Sequence, residues 1–330
     1  MSDGGKTGFT PSWLIRHTQV QSVLATKGPR KRLWLKRGSQ MEAVQQWHVL
    51  DCGDGVRLTG MHSRQPEGKT PNGLVVMIHG WEGSHESVYL YSMACALYQA
   101  GFNIFRLNLR DHGGTHALNR EMFHSARINE VLGGVRAVLA LDDTRPLYVI
   151  GFSLGGNFSL RVGLLGPAQG VVPALSIGVS PSINPGATVR AIDRGPRLFK
   201  LYFMDKWRKT LDAKKAAWPD INIGALYEFK SLWDTTQYFA EHYTGYPTVE
   251  SYLASYTLTP EQLMASPSPL AIITAQDDDV IPFEDFDGLA PRGSVVAYLP
   301  TAHGGHCGFI ENLKMSSWAE TRVLELLGVV

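Results

Sequence analysis

At 330 residues, 44% hydrophobic and 18% charged, the chain is long enough for one large α/β domain carrying an insertion, or for two domains. A net charge of +1 removes any global electrostatic case for nucleic acid or an acidic partner, and no run of 18 apolar residues is present to cross a membrane. Three scattered cysteines, Cys52, Cys95 and Cys307, are too few for a disulfide framework, and the first thirty residues lack the apolar core of a secretion signal, so a soluble protein of the reducing cytoplasm is expected.

Residues 1–42 read as an N-terminal arm. Within it, Lys27 to Arg37 carries six positive charges in eleven residues, with Leu33, Trp34 and Leu35 interleaved. Such a run is compatible with anionic lipid headgroups. A solvated arm is the plainer expectation, because Gly28 and Pro29 argue against one continuous amphipathic helix.

From Gln45 the chain takes on strand character. Gln45 to Leu50 and Val56 to Ser63 flank the turn sequence Cys52-Gly-Asp-Gly55, which predicts an antiparallel hairpin at a sheet edge. Leu74 to Ile78, Asn103 to Leu109, Leu147 to Ile150, Leu175 to Val179, Leu270 to Thr274 and Val295 to Leu299 are short and mostly apolar, as strands buried on both faces should be. Between several of them lie helical stripes: Leu90, Ala94 and Leu97, ended by Gly101, and Ile128, Val131, Val135, Val138 and Leu139. This alternation predicts a mostly parallel, twisted α/β sheet with helices on both faces. The expected core is 43–181 with 256–330.

Residues 182–255 break that rhythm. They are rich in aromatics, among them Phe203, Trp207, Trp233, Phe239 and Tyr252, and read as a helical insertion. By analogy with other insertions it would lie as a lid over the carboxyl edge of the sheet. Its aromatics could line an acyl pocket or form the lid's own small core.

In such sheets ligands collect beyond the carboxyl ends of the strands. Directly behind the run ending at Ile150 stands Gly151-Phe-Ser-Leu-Gly155, a G-x-S-x-G pattern. With 34 glycines in the chain the pattern alone is weak, but a buried strand in front of it is where a nucleophilic serine on a strand-to-helix turn belongs. Ser153 is therefore the candidate nucleophile. The amide of Leu154, at the start of the next helix, and that of Trp81, in the turn His79-Gly-Trp-Glu-Gly83, are the candidate oxyanion donors. His79 itself reads better as a structural imidazole. Asp277, Asp278 and Asp279 follow the strand at Leu270, and His303 and His306 follow the strand at Val295. The order Ser, Asp, His is that of one hydrolase fold and differs from two other serine-protease orders.

Metal and nucleotide chemistry lack their signatures. No H-x-H-x-D-H arrangement collects His79, His85, Asp111, His112 and His116 around a metal, and no G-x-G-x-x-G or G-x-x-x-x-G-K-[ST] supports a dinucleotide or a phosphate cradle. Neither a metal nor a cofactor is expected, and no nucleic-acid partner.

At these residues the chain resembles the α/β-hydrolases, and more narrowly their YheT-like branch. The resemblance rests on Phe9-Thr-Pro-Ser-Trp-Leu14, His17-Thr-Gln-Val-Gln-Ser22, His79-Gly-Trp-Glu-Gly-Ser84, Arg110-Asp-His-Gly-Gly114, Gly151-Phe-Ser-Leu-Gly-Gly156, Asp277-Asp278 and Gly304-Gly-His-Cys-Gly-Phe309. Asp279 and Trp81 depart from the usual pattern. The resemblance implies Asp278 as the acid in an Asp-x-Val-Ile-Pro pattern, with Asp277 as runner-up, and His306 ahead of His303 as the base. It implies hydrolysis of carboxylic or lipid acyl esters through an acyl-serine. Acyl transfer, thioester hydrolysis on the same residues and a non-catalytic binding module are the alternatives.

Overall fold

A computed structural model describes residues 8–27 and 29–329. The chain opens with three helices, α1 (Thr18–Thr26), α2 (Pro29–Arg37) and α3 (Ser39–Ala43). Strands β1 (Gln45–Asp51) and β2 (Arg57–Ser63) follow, then β3 (Leu74–Ile78), α4 (Val88–Gln99), β4 (Asn103–Asn108), α5 (Ile128–Leu141), β5 (Leu147–Phe152), α6 (Leu154–Leu165) and β6 (Leu175–Val179). After β6 come α7 (Pro185–Arg194), α8 (Arg197–Ala217), α9 (Leu232–Tyr243), α10 (Val249–Ala254) and α11 (Pro260–Met264). The chain then returns to the sheet as β7 (Leu270–Ala275) and β8 (Val295–Thr301) and ends in α12 (Trp318–Leu326).

The eight strands form one sheet in the order β1-β2-β4-β3-β5-β6-β7-β8. The hairpin at the edge is antiparallel, with Trp47 opposite Met61, and β2 meets β4 antiparallel. All the remaining pairings are parallel, so six strands share one carboxyl edge. The expected twisted α/β sheet with helices on both faces is therefore the observed one.

Period-two alternation explains the two layers. On β3, Val75 and Met77 pack with Leu90, Ala94 and Leu97 of α4, while Leu74, Val76 and Ile78 pack with Val131 and Val135 of α5 and Phe158 of α6. Every residue of β3 is fully buried, which is worth about 1.5–3 kcal/mol for each large side chain. Elements after β6 begin with strong caps: Asn184 precedes Pro185 at the start of α7, and Thr248 and Thr259 form capping boxes at α10 and α11.

The basic N-terminal segment corrects the expectation of a solvated arm. Pro29 opens α2, where its missing N–H costs nothing. Arg30 is buried with Nη2 2.5 Å from Glu320 Oε1 on α12, and Trp34 is buried in the core beside α4. Lys27 lies over the Tyr202 ring. Gly28 lies outside the described residues. No helix among the described residues is long and apolar enough to cross a membrane.

Candidate active site

Ser153 is built by the collision it avoids. It sits between β5 and α6 at φ 55° and ψ −121°, a conformation an L-residue adopts only when its surroundings impose it. A Cβ at Gly151 would stand 1.9 Å from the Gly155 carbonyl oxygen, and one at Gly155 would stand 2.3 Å from that of Ile78. Strand and helix can cross this closely only without those side chains. The Ser153 N–H donates to the Val179 carbonyl at 2.9 Å, tying the turn to β6.

Three side chains from separate strand ends meet there. His306 Nε2 is 2.9 Å from Ser153 Oγ, and His306 Nδ1 is 2.9 Å from Asp278 Oδ2 and 3.1 Å from Oδ1. Asp278 Oδ1 also accepts from the amides of Val280 and Ile281, which fixes the carboxylate in the turn after β7. The Asp278 side chain is sealed from solvent. Burial disfavours a charged His306 ring, but the Asp278 carboxylate outweighs it and holds the imidazole well above its ordinary value.

The residues beside this trio take other places. Asp277 accepts from the Gly305 amide and from Thr18 Oγ1, both at 2.9 Å, and lies 3.6 Å from His303 Nδ1. Asp279 is half-buried, with both carboxyl oxygens closed to solvent and without a hydrogen-bond partner among the described residues; burial and the adjacent Asp278 push its carboxyl up to about 6. Cys307 is buried, with its amide on Ser180 Oγ.

On the facing loop, the amides are engaged one by one. Gly80 donates to the Tyr89 hydroxyl, Glu82 to His112 Nε2 and Gly83 to the Gly80 carbonyl. The Trp81 and Leu154 amides have no acceptor among the described residues. Two free donors therefore remain at the serine, one of them at a helix N-terminus where negative charge is favoured. His79 is structural: its Nδ1–H donates to the Gly80 carbonyl at 2.7 Å and its Nε2 accepts from the Leu109 amide, and burial keeps it neutral.

Two cavities meet at Ser153 and Trp81. The larger, about 660 Å³, is lined by His306, by Ser22 and Val23 of α1, and by Tyr202 and Phe203 of α8. The smaller, about 130 Å³, is lined by Leu154, Phe123, Val189, Trp207 and Phe239. Aromatics between β6 and β7 thus serve both as lining and as packing. Phe203 stacks on Trp81, whereas Phe239 and Tyr243 stack on each other.

Sequence reasoning missed three contributors. Glu82, beside Trp81, accepts from Thr210 Oγ1 at 2.6 Å, and burial pushes its carboxyl up to about 7. Lys214 of α8 reaches down to Asp111. Helix α1 borders the loop that carries His306. The resemblance through His17–Ser22 was a signal for α1; nothing in the sequence singled out Glu82 or Lys214.

Residues 75–314 match the model described as "Alpha/beta hydrolase family". The chain is 25% identical over 298 residues to "Putative esterase YheT" of Escherichia coli (strain K12), covering 87% of this chain and 86% of that one. It is 21% identical over 248 residues to "Phospholipase ABHD3" of Homo sapiens, covering 72% of this chain and 59% of that one. In structure it is similar to the Pyrococcus furiosus esterase PF2001, with a TM-score of 0.57, 18% identity, and 86% and 90% of the two chains covered, a likeness of fold.

Proposed function

The chain belongs to the alpha/beta hydrolase family, and from that premise we propose that it is a serine hydrolase that cleaves carboxylic esters, lipid acyl esters included. The observation that carries this reading is the unbroken hydrogen-bond chain from Asp278 through His306 to Ser153, ending beside two unengaged amides.

His306 takes the proton from Ser153 Oγ as the oxygen attacks the ester carbonyl. Asp278 holds the ring with Nδ1 protonated and stabilises the cation that forms. The amides of Trp81 and Leu154 hold the developing oxyanion. His306 then gives its proton to the alcohol oxygen, the C–O bond breaks, and the acyl group stays on Ser153. Water, deprotonated by His306, repeats the attack and frees the acid and the serine.

The two cavities divide the substrate. The leaving alcohol must be protonated by His306, which lines the larger cavity and not the smaller. The alcohol portion therefore occupies the larger cavity and the acyl chain the smaller, apolar one. The relatives named as an esterase and a phospholipase agree with this reaction class. Three free, buried thiols favour a reducing compartment.

The test is turnover of a series of p-nitrophenyl esters by the wild type and by Ser153→Ala. The variant should be folded and inactive. Wild-type rates in a folded Ser153→Ala protein would refute the reading.

A further inference from the structure

The loop that presents His306 is not held by the sheet alone. Four of the six residues 304–309 have positive φ: Gly304, Gly305, Cys307 and Phe309. The glycines adopt it freely, but Cys307 and Phe309 persist there only when their surroundings over-determine it. Part of those surroundings comes from the N-terminal helix α1, which lies outside residues 75–314.

Three residues of α1 make the contacts. Thr18 Oγ1 donates to Asp277 Oδ2 at 2.9 Å, and the other oxygen of Asp277 accepts from the Gly305 amide. Ser22 Oγ accepts from the His306 amide at 2.9 Å while donating to the Thr18 carbonyl. Gln21, fully buried, donates through Nε2 to the carbonyls of Ile15 and Ile310 and accepts the Ile310 amide at Oε1. The approach is as close as backbones allow: a Cβ at Gly305 would stand 2.5 Å from the Thr18 carbonyl oxygen, and one at Gly308 would stand 2.7 Å from that of Gln21. The glycines flanking His306 are there because α1 passes against them.

We infer that α1 is part of the active site, with Thr18 and Ser22 as positioning residues that set where His306 Nε2 stands relative to Ser153 Oγ. This rests on the reading of Ser153 and His306 as the reacting pair. A ring carried on two side-chain torsions follows its backbone, so freeing the 305–306 amides moves Nε2 by a fraction of an ångström. Displacements of about 1 Å cost on the order of a hundredfold in rate. Because Thr18 does not line either cavity, its loss acts on the chemical step and leaves substrate binding intact.

The experiment compares Thr18→Val, Thr18→Ser and Ser22→Ala in the full-length protein, with Ser153→Ala and the core variant Val131→Ala alongside. Thr18→Val and Ser22→Ala should each lose about tenfold or more in kcat, and for Thr18→Val, which lines neither cavity, KM for a short p-nitrophenyl ester should stay within about twofold of wild type. Thr18→Ser, which keeps the hydroxyl, should stay within about twofold in kcat, and Val131→Ala, which lowers Tm from the opposite face of the sheet, should keep its kcat. Wild-type kcat in both Thr18→Val and Ser22→Ala would overturn the inference, as would an equal loss in Thr18→Ser or in Val131→Ala. An inactive Ser153→Ala beside fully active α1 variants would overturn this inference alone. An active Ser153→Ala would overturn the reading on which it rests.

Discussion

Lys214 Nζ lies 2.9 Å from Asp111 Oδ1, and both side chains are closed to solvent. Lys214 belongs to α8, between β6 and β7, and Asp111 to the loop at the carboxyl end of β4, so the pair fastens α8 to the sheet edge beside the serine. The ammonium also donates to the carbonyls of Asn119 and Glu121, and Asp111 accepts the Phe123 amide. Burial works against both charges, lowering the Lys214 pKa and raising that of Asp111, and their mutual attraction opposes it.

Removing one partner leaves the other buried and alone. Lys214→Met should therefore cost about 3–5 kcal/mol of stability. Asp111→Asn in the same background should recover part of that loss, because the uncompensated charge is gone. Urea unfolding of the single and double variants measures the coupling, and additive effects would deny it.

The acid limb of the pH–rate profile should report His306. The ring accepts a proton only when neutral, and Asp278 holds its pKa well above the ordinary 6.5, so kcat/KM should climb with pH through a midpoint above 6.5. Asp278→Asn removes the carboxylate and leaves burial acting alone. The midpoint should then fall, and kcat should drop by roughly 10⁴-fold through loss of the correct tautomer. A midpoint that stays put in Asp278→Asn would contradict this assignment.

Glu82 gives a stability signature of its own. Burial raises its carboxyl from 4.5 to about 7, so the folded state holds a proton that the unfolded chain releases earlier. The contribution is fully present below about pH 4.5 and is lost as pH rises through about 7. Glu82→Gln keeps an acceptor for Thr210 and cannot ionise. Relative to wild type it should gain stability across that window, by up to about 2–3 kcal/mol above pH 7. Parallel Tm curves for the two proteins between pH 5 and pH 8 would rule out the buried carboxyl as the cause.

Acyl selection should follow the smaller cavity. Val189 of α7 lines that cavity and not the larger one. Val189→Phe should shorten the longest acyl chain accepted in a p-nitrophenyl series while leaving the choice of alcohol unchanged. A change in alcohol preference instead would reverse the assignment of the two cavities.

Strands β3 to β7 were readable because parallel strands buried on both faces must be short, apolar and β-branched, and the β1–β2 hairpin because of its turn sequence; all eight strands fall where those patterns place them, with ends differing by a residue or two. Ser153, Asp278 and His306 were readable because strand ends in this topology share one edge. What escaped was polar and remote. Gln21 and Ile310 stand 289 residues apart, and a polar helix face in sequence looks the same whether it meets water or a loop. Lys214 reads as an ordinary solvated lysine for the same reason. The basic run at Lys27 misled because charge density predicts solvation, whereas Arg30 has Glu320 waiting inside. Asp277 and Asp278 are neighbours in sequence, and only geometry separates the one that anchors a backbone from the one that faces the ring.

The central claim is that Ser153 is the atom that attacks. A fluorophosphonate probe offered to the folded protein, followed by intact-mass measurement and peptide mapping, tests it most directly. One adduct per chain on Ser153, absent from Ser153→Ala and slowed in Asp278→Asn, is the predicted result. An adduct of equal yield in Ser153→Ala, or one mapped to another residue, would contradict the account.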